Sequence, residues 1–596
     1  MKILVALATL ASVAFADITF NVVGYPSSST GTFGVSIGGK ITKLSSNETS
    51  FPVWSGAVPG TDNNVEYSYV ELSAAGTPVK TETFTRKLND TKATSTLNEF
   101  FERPVTVWDL PKIPYTYLAT YPSKTKAFKQ KQIATIHVTA PATQISDLLA
   151  NPASGKSYRV DFRFINSNTI HSVRNITLKT SGKSSKEHSK QAFKFNFDSD
   201  FNQTFFHRPN IKLRSMVMDP TMMREKLYID LLNSAGVPTQ QGAWVRLFIN
   251  NEPYGLYLMV DDIKKSFLKQ TVHGGDATVQ RGSLIKANAF INKASLEYTG
   301  PATKDYDPDC YASENLGNSP ADDPLKELIS FMSDLKSFDP SAPNAVQFWN
   351  ETRLDLDGVL RNMALEYLAA AFDNYWWSAS NYFIYKNPTM GPAGKWQWLP
   401  TDFDGTFGNG SPTSTVDTYK NYYDFKAGDH PLVSKLILQN KDINALFEQI
   451  LKELVSTAFK PEALVPRIQT YNKMLSLDAQ WDISLTRKSP GINNGFTFDD
   501  FNNNLNVRTK DMSFALIPFV QQVSDYVAKE LGFTIPAGLA DRVAPPAKGG
   551  DEDDDENDSS ETDKDGDSKN KNNAGSRAAA SGGLVVFAMI ASVLLL

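Results

Sequence analysis

Apolar residues recur at Leu356, Val359, Leu360, Met363, Tyr367 and Ala371 with the period of a helix that buries one face. That spacing predicts a helix ending near Phe372. Two aromatic-rich runs follow, at 381–386 (Asn-Tyr-Phe-Ile-Tyr-Lys) and 395–400 (Lys-Trp-Gln-Trp-Leu-Pro), and read as strands. The Pro- and Gly-containing stretch 387–394 between them reads as the turn of a hairpin. Residues 461–531 carry helical periods again. Near the start the pattern differs: short β-rich segments at 18–23, 34–37, 65–72 and 105–110 alternate with Gly, Ser, Pro and Asn turns. That is the pattern of a small all-β sandwich, so the expected fold class is α+β.

A hairpin sets the start of its first strand beside the end of its second. Asn381 is therefore expected near Asp402, with Asp373 on the loop feeding the same end. If the chain stays extended through Asp402-Phe403-Asp404, both carboxylates point to one face, about 7 Å apart. Hard oxygen ligands so placed suit Mg²⁺ or Mn²⁺ on the phosphates of a nucleotide. A loop Asp, an Asn, a hairpin and then Asp-Phe-x is also the order found in protein kinases. The competing reading makes these aspartates caps and turn formers, and the Trp and Tyr residues ordinary core.

Several ordered blocks then resemble one family, the CotH-type atypical protein kinases first known from spore coats, and in particular their fungal cell-surface branch. The blocks are Lys190-Gln-Ala-Phe-Lys-Phe, Asp219-Pro-Thr-Met-Met-Arg-Glu, Ile249-Asn-Asn-Glu-Pro-Tyr-Gly-Leu-Tyr-Leu-Met-Val-Asp, Phe372-Asp-Asn and Asp402-Phe-Asp-Gly-Thr-Phe-Gly, within a resemblance spanning 136–539. It implies a divergent two-lobed kinase-like domain that uses ATP with Mg or Mn to phosphorylate proteins of the secretory pathway or cell surface. In fungal members it also implies a surface ligand for a host-cell receptor, an invasin. By position, Asp373 would be the catalytic acid/base and Asp402 a metal ligand, while Asn381 and Asp404 join the metal set by geometry alone. Lys190 resembles the lysine over the phosphates, with Lys194 on the same strand face left open as the alternative. Arg224 matches the family at the start of a helix, for which Asp219 is the expected N-cap, Pro220 the first residue and Gly236 the end. Glu225 beside it is the acid an ordinary kinase would pair with its lysine.

No Gly-x-Gly-x-x-Gly loop occurs. Ser181-Gly-Lys-Ser-Ser185 stands in its place and offers backbone N–H groups and Lys183 to phosphate, unless it is a solvated turn. Gly34-Val-Ser-Ile-Gly-Gly-Lys40 nearly fits a Walker A loop, but Ile41 replaces the required hydroxyl residue.

Both ends suggest a secretory route. Residues 1–16 read as a signal peptide closing on Ala14-Phe-Ala16. Residues 574–596 read as a GPI-attachment signal removed after Asn573, so the membrane would be met only through a GPI anchor. Its apolar run of thirteen residues is short against the ~20 of a spanning helix. Between these ends the expected divisions are a sandwich at 17–123, a kinase-like domain at 124–540 and an acidic disordered stalk at 541–573. Asn-x-Ser/Thr acceptors for glycosylation stand at Asn47, Asn89, Asn175, Asn202, Asn350 and Asn557. Loop 56–64 resembles in part the surface peptide by which fungal relatives engage host receptors; its competing reading is a plain turn.

Charge narrows the options. Lys and Arg number 60 against 65 acids, so no global basic field for nucleic acid exists. The excess sits in 551–567, where eleven acids face Lys564 alone. Cys310 is the sole cysteine, which excludes an intramolecular disulfide. The six histidines show no zinc-ligand spacing. Two other function classes stay open: a catalytically idle adhesin or spore-coat structural protein on a kinase fold, and a carbohydrate-active hydrolase using Asp373 and Asp404 with sugars stacked on Trp376, Trp377, Trp396 and Trp398.

Overall fold

The structure is a computed structural model, described here over residues 17–543 except 62–63, 89, 91, 118–124, 198–202, 277, 291–292, 315–322, 412–415 and 425–429. The expected signal peptide, most of the stalk, the GPI signal with Asn573, and the acceptors Asn89, Asn202 and Asn557 lie outside the described residues.

The N-terminal alternation resolves into strands β1 (Ile18–Val23), β2 (Thr32–Ile37), β3 (Lys40–Lys43), β4 (Val53–Val58), β5 (Glu66–Leu72), β6 (Pro78–Thr81), β7 (Arg86–Lys87) and β8 (Ser95–Phe100). One sheet runs β4-β1-β8; the other runs β3-β2-β5-β6, with β7 also on β5. Alternate residues point to one face of a strand, and here Ile18, Phe20 and Val22 meet Phe33, Val35, Tyr67 and Tyr69 in one core shared by both sheets. The expected strand at 105–110 does not form. Pro104 and Pro111 bracket it and withhold backbone donors, and Val105 and Val107 stay exposed. Residues 56–58, expected in a loop, form the end of β4, while Asp62 and Asn63 of that loop lie outside the described residues.

Seven further strands close on themselves: β9 (Ala134–Thr139), β10 (Ser157–Ile165), β11 (Ile170–Ser181), β12 (Ala192–Asn196), β13 (Asn210–Arg214), β14 (Gly242–Ile249) and β15 (Glu252–Asp261). The barrel order is β10-β11-β12-β13-β15-β14-β9; all neighbours are antiparallel except β9 and β14, which run parallel. Phe162, Phe164, Phe193, Phe195, Ile211, Leu213 and Met259 are among the residues that fill it. Sequence reading did not anticipate this closure. On β13, Lys212 and Arg214 alternate with the buried Ile211 and Leu213, which turns both cations outward.

A third sheet carries β16 (Leu284–Ala287), β17 (Tyr311–Glu314), β18 (Tyr382–Asn387) and β19 (Lys395–Pro400) in the order β17-β16-β18-β19. β18 and β19 form the expected hairpin, in register from Tyr382 opposite Pro400 to Asn387 opposite Lys395. The expected helix before it spans Leu356–Leu368, with Asp355 accepting from Gly358 N as its N-cap. Tyr382 stacks on Trp398 at 4.0 Å between centroids, and Tyr375 meets both rings edge-on. The C-terminal helical periods become Pro461–Ser484, Phe498–Asn503 and Leu516–Glu530. Their apolar faces join the core that also holds the Leu356–Leu368 helix. Among the described residues no helix is long and apolar enough to cross a membrane.

Candidate active site

The site forms where the Leu356–Leu368 helix stops. Glu366, near the helix end, is buried, and its carboxylate accepts from Asn362 Nδ2 at 2.7 Å and from Trp376 N at 2.8 Å. This ties the short turn Tyr375–Ser378 back to the helix and leaves Phe372-Asp373-Asn374 as a held loop. Asn374 Nδ2 donates to Thr401 O at the end of β19. Asn381, at φ +58°, a conformation asparagine tolerates, donates Nδ2 to Asp373 Oδ2 at 2.8 Å and to Asp373 O at 2.9 Å. Thr401 N in turn donates to Asn381 O. The hairpin thus brings Asp373, Asn381 and the approach to Asp402 to one end.

Beyond β19 the chain is not extended as expected. Asp402 takes φ +65° and the chain turns at Asp404-Gly405. The reason is Arg214 at the end of β13. Its guanidinium holds Asp402, lies 3.3 Å from Asp404 Oδ1, and donates through Nε to Glu225 Oε2 at 3.1 Å. Three acids from two segments share one cation. Arg214 was missed in the sequence; the usable signal was the outward face of β13, where it alternates with buried apolar residues.

One cation does not offset this many acids. Burial, then the Asp402 charge, raises the Asp373 carboxyl to about 6 against the Asn381 hydrogen bond and Arg214. Burial also raises Asp404 above the usual carboxylate range against the pull of Arg214, with the Asp402 and Glu225 charges adding to the rise. Asp402 goes the other way: burial opposes its charge, but Arg214 holds it below the usual range. Asp373, Asp404, Arg214 and Glu225 line a cleft of about 230 Å³, whose wall also includes Ser184, Ser185, His188 and Met216–Met218. Gly405 belongs to this wall because a Cβ there would stand 2.8 Å from the Phe372 ring.

The expected basic residues divide. Lys183 is exposed with its ammonium over the Phe290 ring, and it is the neighbouring Ser184 and Ser185 that reach the cleft. Lys190 faces the small recess beside the cleft and is engaged elsewhere: Nζ donates to Leu256 O at 2.6 Å and pairs with Asp482 at 2.8 Å. Burial lowers it to about 8 despite Asp482. Asp482, on the last turn of the Pro461–Ser484 helix, also accepts from Leu256 N and Arg487. Gly255, at φ +128°, makes the room, since a Cβ there would fall 2.1 Å from Asp482 Oδ1. Gly255→Ala is expected to cost about 1–3 kcal/mol for its backbone conformation alone, and more for the displaced carboxylate, in denaturant unfolding.

Arg224 does not reach the cleft. It is fully buried, and its guanidinium meets Asp219 Oδ1 at 2.5 Å and Asn504 Oδ1 at 2.7 Å. Its helix begins at Arg224 rather than Pro220, because Asp219 accepts from the backbone N–H of Met223 and Arg224 instead. Gly236 follows the helix end as expected, at φ +65°. Lys194 and its cross-strand partner Lys212 both bond Asp262, at 2.5 and 2.7 Å. Lys212 also lowers the Asp402 carboxyl. Burial, then the Lys212 charge, lowers half-buried Lys286 on β16.

Among the described residues no cluster of three or more His, Cys, Asp and Glu side chains is arranged as a cation site. In chemistry, however, the set fits a hard divalent ion. Asp402, Asp404 and Asn381 offer oxygen donors, and the Asp373 and Asp404 carboxyls are raised chiefly by burial, with the Asp402 charge adding to it. The tryptophans that kept a saccharide site open are buried in the core, so they present no face to sugar. Of the described acceptors, Asn47 and Asn175 are exposed, and Asn350 is partly exposed on the helix Ala345–Thr352.

Residues 178–506 match the family model described as CotH kinase protein, which is more than half of the chain. The chain belongs to the CotH family. It is similar to Invasin CotH3 of Rhizopus delemar, 31% identical over 534 residues that cover 87% of this chain and 85% of that protein. Invasin CotH2 of the same organism is 30% identical over 528 residues, 83% of each chain. Spore coat protein homolog 1, also from Rhizopus delemar, is 28% identical over 486 residues, 79% of this chain and 74% of that one.

Proposed function

We propose that this protein is an ATP-dependent protein kinase of the cell surface, with the barrel and the helical part acting as two lobes around the cleft. The observation that carries the reading is the crowding of Asp373, Asp402 and Asp404 at one hairpin end. Asp373 lines the cleft, oriented by Asn381, as the base that accepts a proton from a substrate Ser or Thr hydroxyl. Asp402, Asp404 and Asn381 would hold Mg or Mn, which when bound neutralises charge on the nucleotide phosphates. Lys212, whose charge lowers the Asp402 carboxyl, supplies positive charge beside the acids, the task expected of Lys190, Lys183 and Arg224. Lys212→Ala is expected to raise KM for ATP about tenfold, about 1.4 kcal/mol, with little change in kcat. Steady-state kinetics at saturating acceptor checks this.

The cellular setting belongs to the same reading: a signal peptide at 1–16, a GPI-anchored C-terminus after Asn573, and a stalk between 541 and 573. Relatives named as invasins and a spore-coat homolog support a place on the cell surface or wall, with a host-cell receptor as a further partner. The test is incorporation of phosphate from ATP into a secreted-protein acceptor with Mg or Mn, with Asp402→Ala as control. No incorporation by the wild type, beside intact receptor-type adhesion to host cells, would leave the idle-adhesin reading. One observation favours that second reading: Arg214 stands among the acids where a cation would sit.

A further inference from the structure

A second cleft, of about 450 Å³, shares no lining residue with the one at Asp373. One wall comes from the loop joining β3 to β4 and from Trp54 on β4, the other from β9, β10 and β11 of the barrel. Phe51 and Trp54 give it an aromatic base, while Asp161, Ser172 and Arg174 stand exposed at its rim. Its volume falls within the ~300–1,000 Å³ of small-molecule sites. Rings below and polar groups above suit a ligand with apolar faces and polar edges, as sugars have.

Asn47 stands on the wall of this cleft and heads the sequence Asn47-Glu48-Thr49. Its Oδ1 accepts from Thr49 N at 2.9 Å, Thr49 Oγ1 at 2.7 Å and Ser50 N at 3.0 Å. Three donors on one oxygen fix the amide plane and turn Nδ2 away from the turn, on an exposed residue. The segment is itself pinned to the barrel: Arg163 donates to Glu48 O at 2.9 Å, to Phe51 O and to Ser172 Oγ. A group attached at Nδ2 would therefore leave from a fixed point on the cleft wall.

We propose that the cleft seats the first sugars of an N-linked glycan on Asn47, which thereby bridges the N-terminal sheets and the barrel. The inference rests on the secretory reading above, because attachment requires a lipid-linked oligosaccharyl diphosphate as donor. In that transfer the bond from sugar C1 to Nδ2 forms and the C1–O bond to the diphosphate breaks. The amide proton leaves on the released lipid diphosphate.

The full chain, secreted from a glycosylating eukaryotic cell, provides the test. Mass spectrometric mapping establishes which acceptors are occupied. Peptide-N-glycosidase digestion of the native protein then compares removal rates at Asn47 and at the other occupied acceptors. Hydrogen exchange compares wild type with Asn47→Gln and Asn350→Gln. The expected result is an occupied Asn47 whose glycan is released about tenfold more slowly than the others in the folded state, the protection of a packed group, and at equal rate after denaturation. Amides of β10 and β11 should exchange faster in Asn47→Gln but not in Asn350→Gln. A bare Asn47 beside occupied acceptors elsewhere overturns the inference, as does release of its glycan at the common rate. If no acceptor is occupied, the secretory reading falls as well.

Discussion

Asp373→Ala is expected to slow phosphate transfer from ATP by about 10²–10⁴-fold, the usual contribution of a positioned general base. Asp373→Asn preserves the shape of the loop and the Asn381 contact, yet it can accept no proton and should lose as much. Nucleotide binding, measured separately by titration, should survive both changes. The pH profile gives an independent check. Burial and the Asp402 charge raise the Asp373 carboxyl to about 6, and a base works only when deprotonated. Wild-type kcat should therefore be level above pH 6 and fall as pH drops through it. Transfer within a few-fold of wild type in Asp373→Ala would remove this carboxylate from the chemistry.

Arg224→Met is expected to destabilise the fold by about 3–5 kcal/mol, the cost of stranding a buried charge. Asp219 would lose the guanidinium that neutralises it, and Asn504 its donor, both in an interior closed to water. The same contact joins the start of the Arg224–Ser234 helix to the segment after Phe498–Asn503, so the loss spreads across two distant parts of the chain. Denaturant unfolding measures the stability, and ATP affinity of the folded fraction separates structure from binding. Unchanged stability with weakened nucleotide binding would return Arg224 to the phosphate role that its sequence position suggested.

How much was legible follows from which contacts are local. The Leu356–Leu368 helix and the β18–β19 hairpin could be read within a few residues, because periodicity and turn chemistry act over short spans. The meeting of Asp373 and Asn381 followed, since it needs only the hairpin and the loop before it. Strand alternation places a side chain on a face but not opposite a partner. Hence Lys190 could be assigned to a face, while its partner Asp482, nearly three hundred residues later, could not. Arg214 was hidden for the same reason: its acids arrive from elements distant in sequence. The run at 105–110 had the composition of a strand, but the prolines at its two ends cannot donate to a ladder, and its Trp108 N bonds Lys131 O outside any sheet.

Closure of the barrel has a consequence for how the chain is made. β9 begins at Ala134, yet one of its two neighbours is β14, more than a hundred residues downstream. An emerging chain cannot complete that ring until Ile249 and the return strand through Asp261 have been delivered. Until then the early strands wait as an open curl, a costly long-range juncture of the kind that slows assembly. On the secretory route proposed above, that delay would keep the barrel pliant until its last strand has crossed the membrane.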